Sequence, residues 1–262
     1  MKTFKLHLIR HGMTAGNLQG LYIGSGTDLP LCDEGRAQLA ELKDYDSAAK
    51  SIDETLEKMG LDYLDQIIIH SPQPWTEFRV EKRYFEENRA VWRALEDAQA
   101  AGKVKVIGVS NFLRDDLENL LSDCRVRPMV NQILLHISNT PLELMEYCQK
   151  NGIAVEAYSP IAHGEILNQP EIKAMAEKYG VTVPQLCIRY TLQLGAISLP
   201  KTANPEHMKT NAEVDFEISA EDMEVLKHFK KIENYGDSSA PQLSATLCPS
   251  RKGNLEWRKD LF

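Results

Sequence analysis

Ile67, Ile68 and Ile69 form a short apolar run that empties at once into His70, Ser71 and Pro72. A run of that length without alternation predicts a strand covered on both faces, and its polar exit predicts the mouth of a site. Four later segments close in the same way: VIGV before Ser110 and Asn111, MVN before Gln132, IAVEA before Tyr158, and AISLP before Lys201. Helical spacing fills the gaps between them. Ser47 opens a helix carrying Ile52, Leu56 and Met59 on one side and stopping at Gly60, and a second runs from Glu81 to Ala101 with Trp92, Leu95 and Ala98. Leu117, Leu120 and Leu121 mark a third. Thr140, Pro141 and Glu143 read as a capping box for a helix that runs to Gly152, and Thr182, Pro184 and Gln185 repeat the device ahead of a helix through Leu194. Ser219 opens a last helix toward Phe229. Strands alternating with helices predict parallel βα units, which right-handed crossovers curl into part of a barrel or a doubly wound sheet. In either architecture the functional groups gather at the carboxyl ends of the strands.

The two ends of the chain do not share this rhythm. Phe4, Leu6 and Leu8 alternate with Lys5 and His7 as in a strand that stops at Arg10, His11 and Gly12; a glycine-rich loop reaches Gly35, and a short helical pattern covers Arg36 to Leu42. The tail beyond Tyr235 has no strong period and reads as loop. The chain of 262 residues therefore divides into 1–43, 44–237 and 238–262.

Thirty basic and thirty-eight acidic residues give a net charge of −8 without a basic tract, so no nucleic-acid partner is expected. The five cysteines, Cys32, Cys124, Cys148, Cys187 and Cys248, are scattered, odd in number and without CxxC spacing, which predicts reduced structural thiols in a cytoplasmic protein. No run of eighteen apolar residues suggests a membrane span, and the apolar part of MKTFKLHLIRHG is too short for a signal peptide.

From Asp44 to about Asp237 the sequence resembles the aldo-keto reductases, through GLDYLDQIIIHSP, GKVKVIGVSNF, VNQILLH, GIAVEAYSPI and SLPKTANPEHMKTN in that order. Met1 to Leu42 resembles the start of the histidine phosphatase and phosphoglycerate mutase superfamily, through LIRHGMT, Asn17, GTDLPL and EGRAQ. The first resemblance implies an α/β fold: a partial (β/α)8 TIM-type barrel keeping about five βα units, here preceded by an N-terminal strand–loop–helix fragment. It implies NADP as cofactor, with NAD as the alternative, and hydride transfer to a small-molecule aldehyde or ketone. On the matching positions, it implies that His70 orients the substrate carbonyl and that Ser110, Asn111 and Gln132 bind the nicotinamide carboxamide. Tyr158 would stack on the ring, Ser159 line the pyrophosphate, Lys201, Thr202 and His207 grip the adenosine 2′-phosphate, and Asn211 meet adenine. His207 stands where the family commonly has arginine, which opens the choice between NADPH and NADH. The tyrosine, lysine and aspartate that supply the family's proton lie upstream of the segment matching Asp44 and have no counterpart here. Asp44 and Tyr45 are adjacent at a helix start and lack the family's spacing. The resemblance thus implies impaired catalysis or a noncatalytic dinucleotide-binding chain. The second resemblance implies a phosphoryl-accepting His11 beside an Arg10 clamp, but the arginine expected after Asn17 is absent from LQGLY. Side by side, the two imply a fused or rearranged gene, with an assembly artefact as the alternative.

Each assignment has a plainer counterpart. An isolated histidine at a strand end is commonly structural, Ser110 and Asn111 also suit a helix-start turn, Lys201 also suits a solvated charge, and Tyr158 also suits a core aromatic. His11 without its partners reads as a relic. His136, Trp75 and Trp92 are assigned to packing or a pocket wall.

Overall fold

The computed structural model describes residues 44–74, 78, 79 and 81–232. The readings placed on 1–43 and on the tail from Tyr235, including Arg10, His11 and Asn17, lie outside the described residues, as do Cys32, Trp75 and Cys248. Helix α1, Tyr45–Met59, is capped by Asp44, whose Oδ1 accepts the Ser47 N–H at 2.9 Å. Ser47 is therefore the third helical residue and the far half of a capping box, not the cap: a carboxylate three residues upstream reaches the orphan N–H first. Ala48, Ile52 and Leu56 face inward, Met59 is exposed, and Gly60 ends the helix at φ +62°.

Strand β1 is Leu64–Ile69, followed by α2, Phe85–Ala100, β2, Val104–Ser110, and α3, Arg114–Leu121. Then come β3, Val130–Leu134, α4, Leu142–Lys150, and β4, Ala154–Tyr158. A 3-10 segment, Ala162–Asn168, leads to α5, Pro170–Lys178, and α6, Val183–Gln193. Strand β5, Ile197–Leu199, and helices α7, Pro205–Ala212, and α8, Ala220–Lys227, complete the described chain. Helix α6 opens as its sequence predicts, with a reciprocal cap between Thr182 and Gln185. Helix α4 does not. Its cap position is Pro141, while the Thr140 hydroxyl donates to the His136 carbonyl at 3.2 Å and pairs with the Tyr190 hydroxyl at 2.7 Å, a tertiary contact that outbids the local one.

The sheet is parallel throughout and runs β1-β2-β3-β4-β5 in sequence order. That order decides between the two expected architectures: a doubly wound sheet reverses its strand order at a switch point, whereas successive neighbours are the signature of barrel winding. Among the described residues the sheet is not closed. The pleat separates two faces. Ile107, Val109, Ile133, Val155 and Ala157 point to the helix layer, where they share a core with Trp92, Leu95, Leu117, Leu120, Met145 and Cys148. Gln66, Gly108, Ser110, Gln132, Glu156 and Tyr158 occupy the alternate register positions and face the concave side. On a flat sheet, side chains three strands apart would be separated by about 14 Å. Yet Nε2 of Gln66 on β1 donates to both carboxylate oxygens of Glu156 on β4, at 3.0 and 3.1 Å. The sheet is curled enough for these side chains to meet across its concavity. A second core, built on Ile137, Ile166, Ile172, Leu186, Cys187, Tyr190 and Leu226, ties α5, α6 and α8 together.

Gly108 of β2 lies opposite Val130 of β3. A Cβ there would lie 2.2 Å from Val130 Cγ2 and 2.8 Å from the Val130 carbonyl oxygen, and the second of these is backbone that cannot swing aside. Gly108→Ala should therefore force the two strands apart and destabilise the protein by about 2 kcal/mol, in the range of overpacked cores. A urea midpoint equal to that of the parent would refute this.

Candidate active site

Parallel strands of similar length end on one rim, and each β-strand here hands its last residues to that rim. His70 follows β1 and is half-buried. Ser110 closes β2 and is buried, and Asn111 follows it with φ +61°, a left-handed conformation that asparagine tolerates better than most side chains. Gln132 lies opposite Ser110 in β3, and Tyr158 ends β4.

Hydrogen bonds join these five residues. The amide of Asn111 donates to the His70 carbonyl at 3.0 Å and to Ser110 Oγ at 2.9 Å, while its Oδ1 accepts the Tyr158 hydroxyl at 2.8 Å. The Gln132 carbonyl accepts both the Ser110 hydroxyl and the Asn111 N–H, each at 2.9 Å. The ends of β1, β2 and β4 and the middle of β3 are thereby laced together around one asparagine. Both N–H groups of the Asn111 amide are engaged inside the protein, so this side chain acts first as a tie. Gln132 is different: its Nε2 donates to Glu156 Oε2 at 2.9 Å, which leaves Oε1 as the amide end with no protein donor among the described contacts.

Arg79 braces the asparagine from outside the sheet. One guanidinium nitrogen donates to the Asn111 carbonyl, and the other donates to Asp116 Oδ2 at 2.9 Å. Asp116, at 2% exposure, also accepts from Arg83 and from the Leu113 N–H that opens α3. Two arginines and a helix end thus converge on one buried carboxylate directly behind the Asn111 turn.

Ser159 continues the rim. Its backbone is left-handed, at φ +51°, and Ala162 and His163 share that conformation; the Ser159 hydroxyl and His163 Nε2 lie 3.1 Å apart. Positive φ in residues other than glycine costs roughly 1–3 kcal/mol apiece and gathers where a backbone is shaped for a ligand. Lys201, Thr202, His207 and Asn211 form a separate group at the next strand end. The register Tyr158↔Leu199 sets Lys201 just beyond the same rim, exposed, with Thr202 accepting the Asn204 N–H at 3.1 Å. His207 and Asn211 lie on α7, whose cap Asn204 accepts the Glu206 N–H. Asp44 and Tyr45 take no part: the Tyr45 hydroxyl donates to Asp97 Oδ2 on the outer helix layer.

Four residues of this arrangement escape the sequence reading: Gln66, Arg79, Asp116 and Glu156. Two of them carry a usable signal, because Gln66 in LDQIII and Glu156 in AVEAY are polar residues inside apolar strands, on the same face as Gln132. The three described cysteines are free thiols; burial pushes Cys187 up to about 12 and Cys148 up to about 11, and Cys124 is half-buried. No group of metal-ligating side chains and no helix long and apolar enough to cross a membrane occurs among the described residues.

A parallel sheet wound in sequence order, with its polar groups laced along the carboxyl-end rim, has the organisation of part of a β/α barrel. The model of the aldo/keto reductase family matches residues 35–231, and the model of the histidine phosphatase superfamily (branch 1) matches residues 6–54, the two overlapping over 35–54. An uncharacterized oxidoreductase of Bacillus subtilis, YtbE, is 40% identical over 180 residues, which are 68% of this chain and 60% of that protein. The glyoxal reductase of the same organism is 37% identical over 193 residues, 73% of this chain and 66% of that protein. The crystal structure of a Bombyx mori aldo-keto reductase in complex with NADP superposes with a TM-score of 0.64 at 31% identity, covering 73% of this chain and 65% of that one. The chain belongs to the aldo/keto reductase family, and it spans less than two thirds of the length of the two curated relatives.

Proposed function

We propose that the chain binds a nicotinamide dinucleotide along the rim of β1 to β5 and reduces small aldehydes or ketones at a rate far below that of a complete family member. The observation that carries the reading is the joining of His70, Ser110, Asn111 and Tyr158, at the ends of β1, β2 and β4, with Gln132 of β3 level with Ser110. The residues fit the group. Oε1 of Gln132 is an unspent acceptor suited to a carboxamide N–H, and the Tyr158 ring is held at its hydroxyl by Asn111. When bound, the dinucleotide supplies the hydride. The protein's part is to seat the carboxamide through Gln132, to back the ring with Tyr158, to line the pyrophosphate with Ser159, and to present His70 to the substrate carbonyl. Lys201, Thr202 and His207 meet the 2′-phosphate and Asn211 the adenine, with NADPH the first choice through the Lys201 charge and NADH the alternative, since His207 carries less permanent charge than the family's arginine.

The weak rate follows from the proton. A forming alkoxide needs an acid, and general acid catalysis contributes about 10² to 10⁴ fold. Residues 6–34 match only the histidine phosphatase model and 35–54 match both models. We place the change of character at residues 43 and 44 and find no counterpart upstream of Asp44 to the tyrosine, lysine and aspartate of the reductases. Titration of NADPH by its fluorescence should saturate, and NADPH oxidation with simple aldehydes should be slow and fall further in His70→Ala. Absence of saturable binding would overturn the reading, and binding without any aldehyde-dependent oxidation would reduce it to a dinucleotide-binding pseudoenzyme. The phosphatase match over residues 6–54 keeps phosphoryl transfer through Arg10 and His11 as a second reading, against which stands the missing arginine after Asn17. Phosphohistidine at His11, read as a mass shift, tests it, and an unlabelled His11 rejects it.

A further inference from the structure

Glu156 stands one pleat below Tyr158 on the concave face and is 2% exposed. Its carboxylate accepts from two neutral amides: Gln66 Nε2, at 3.0 Å to Oε1 and 3.1 Å to Oε2, and Gln132 Nε2, at 2.9 Å to Oε2. An ionised carboxylate only accepts, so a glutamine beside it is compelled to turn its NH₂ toward it. For Gln132 that choice has an external consequence, because the other end of the same amide is the one left over for a ligand. A primary amide can face a site either as a donor or as an acceptor, and nothing in the glutamine itself selects between them.

We infer that Glu156 is a positioning residue for the pyridine carboxamide: by holding Nε2 of Gln132, it obliges Oε1 to face the rim and so makes the site select a ring substituent that donates an N–H. The inference rests on the reading of the rim as a dinucleotide site. It assigns the discrimination to the substituent on the pyridine ring, independently of the adenosine end, which the Lys201 and His207 group serves. In Glu156→Gln the shape is kept but the compulsion is lost. The new amide offers one acceptor oxygen in place of two, so Gln132 turns over to satisfy it and presents NH₂ to the rim. A carboxamide N–H then meets a donor, whereas an acetyl group, which only accepts, is welcomed.

The experiment is calorimetric titration of parent and variant with three probes: NADP⁺, its 3-acetylpyridine analogue, and 2′,5′-ADP, which carries no pyridine. The parent should prefer NADP⁺ over the acetyl analogue by about tenfold, the worth of one hydrogen bond. Glu156→Gln should abolish or invert that preference while 2′,5′-ADP binds as in the parent. Equal affinity of the parent for NADP⁺ and the acetyl analogue, or a preference unchanged in the variant, overturns the role of Glu156 and leaves the dinucleotide site standing. Equal weakening of all three probes in the variant shows a merely structural glutamate. Failure of the parent to bind any of them removes the site, and the inference with it. Should Glu156→Gln lose its circular dichroism signal, Glu156→Asp, which withdraws the carboxylate from Gln132 by one carbon, is expected to show the same loss of preference, and its retention counts against the inference.

Discussion

Asp116→Ala is expected to lower the unfolding free energy by about 4 kcal/mol, the range found when one member of a buried ion pair is removed and its partners stay behind. The Asp116 side chain is 1% exposed and that of Arg79 17%, so the Arg79 guanidinium left without it cannot simply turn to water, whereas Arg83, at 27%, keeps its pair with Asp115 at 2.7 Å. The Leu113 N–H at the head of α3 loses its acceptor in the same step. The expected urea midpoint is far below that of the parent with an unchanged slope. Because Arg79 also donates to the Asn111 carbonyl, NADPH affinity should fall in the fraction that remains folded. Replacing Arg79 and Arg83 by methionine in the Asp116→Ala background should recover part of the stability, since an apolar substitute for a whole charge cluster is often neutral. A midpoint within experimental error of the parent would show that the cluster is solvated and the argument misplaced.

Acid should destabilise the protein through His136 by a comparable amount. The residue has no exposed surface, and burial, with a smaller contribution from the charge on His163, holds its pKa down at about 4 from an ordinary 6.5. Above pH 6.5 the imidazole is neutral in both the folded and the unfolded chain and its titration costs nothing. As the pH falls below 6.5 the unfolded chain takes up a proton that the folded chain refuses, so stability declines until the folded imidazole also protonates near pH 4. The span corresponds to about 3 kcal/mol. Unfolding free energies measured between pH 7.5 and 4 should therefore fall steeply, and His136→Phe should flatten the upper part of that decline, from pH 6.5 to 5, where carboxylates are still ionised. An identical slope in the variant would assign the acid sensitivity to other groups.

The strands and the rim were legible in the sequence because their signals are local. An apolar run that stops at a polar residue marks a buried strand and its exit together, and His70, Ser110 and Tyr158 lie where such runs end. Gln132 does not, because β3 runs on through Ile133 and Leu134 and the expected stop after Asn131 is only a polar position inside the strand. Parallel winding then gathers them without further instruction. Helix starts were read less well, since Ser47 and Thr140 are good capping types that lost to competitors: an upstream aspartate in one case and a tyrosine fifty residues away in the other. The detailed use of Asn111 was not legible either. Its amide is spent on His70, Ser110 and Tyr158, and the last of these is 47 residues distant. Arg79 meets Asp116 across 37 residues, and Gln66 meets Glu156 across 90. Such pairs leave no periodic trace, and only the odd polar letter within an apolar strand hints that a partner exists.

The contact between Gln66 and Glu156 bears on how the five described strands, which do not close among themselves, can hold a site. A closed barrel keeps its radius because every strand is wedged between two others. Here the chord from the first strand to the fourth is fixed from within by side chains, so the arc carries its own curvature. The contacts that draw His70, Ser110, Asn111, Gln132 and Tyr158 together are all made within this arc.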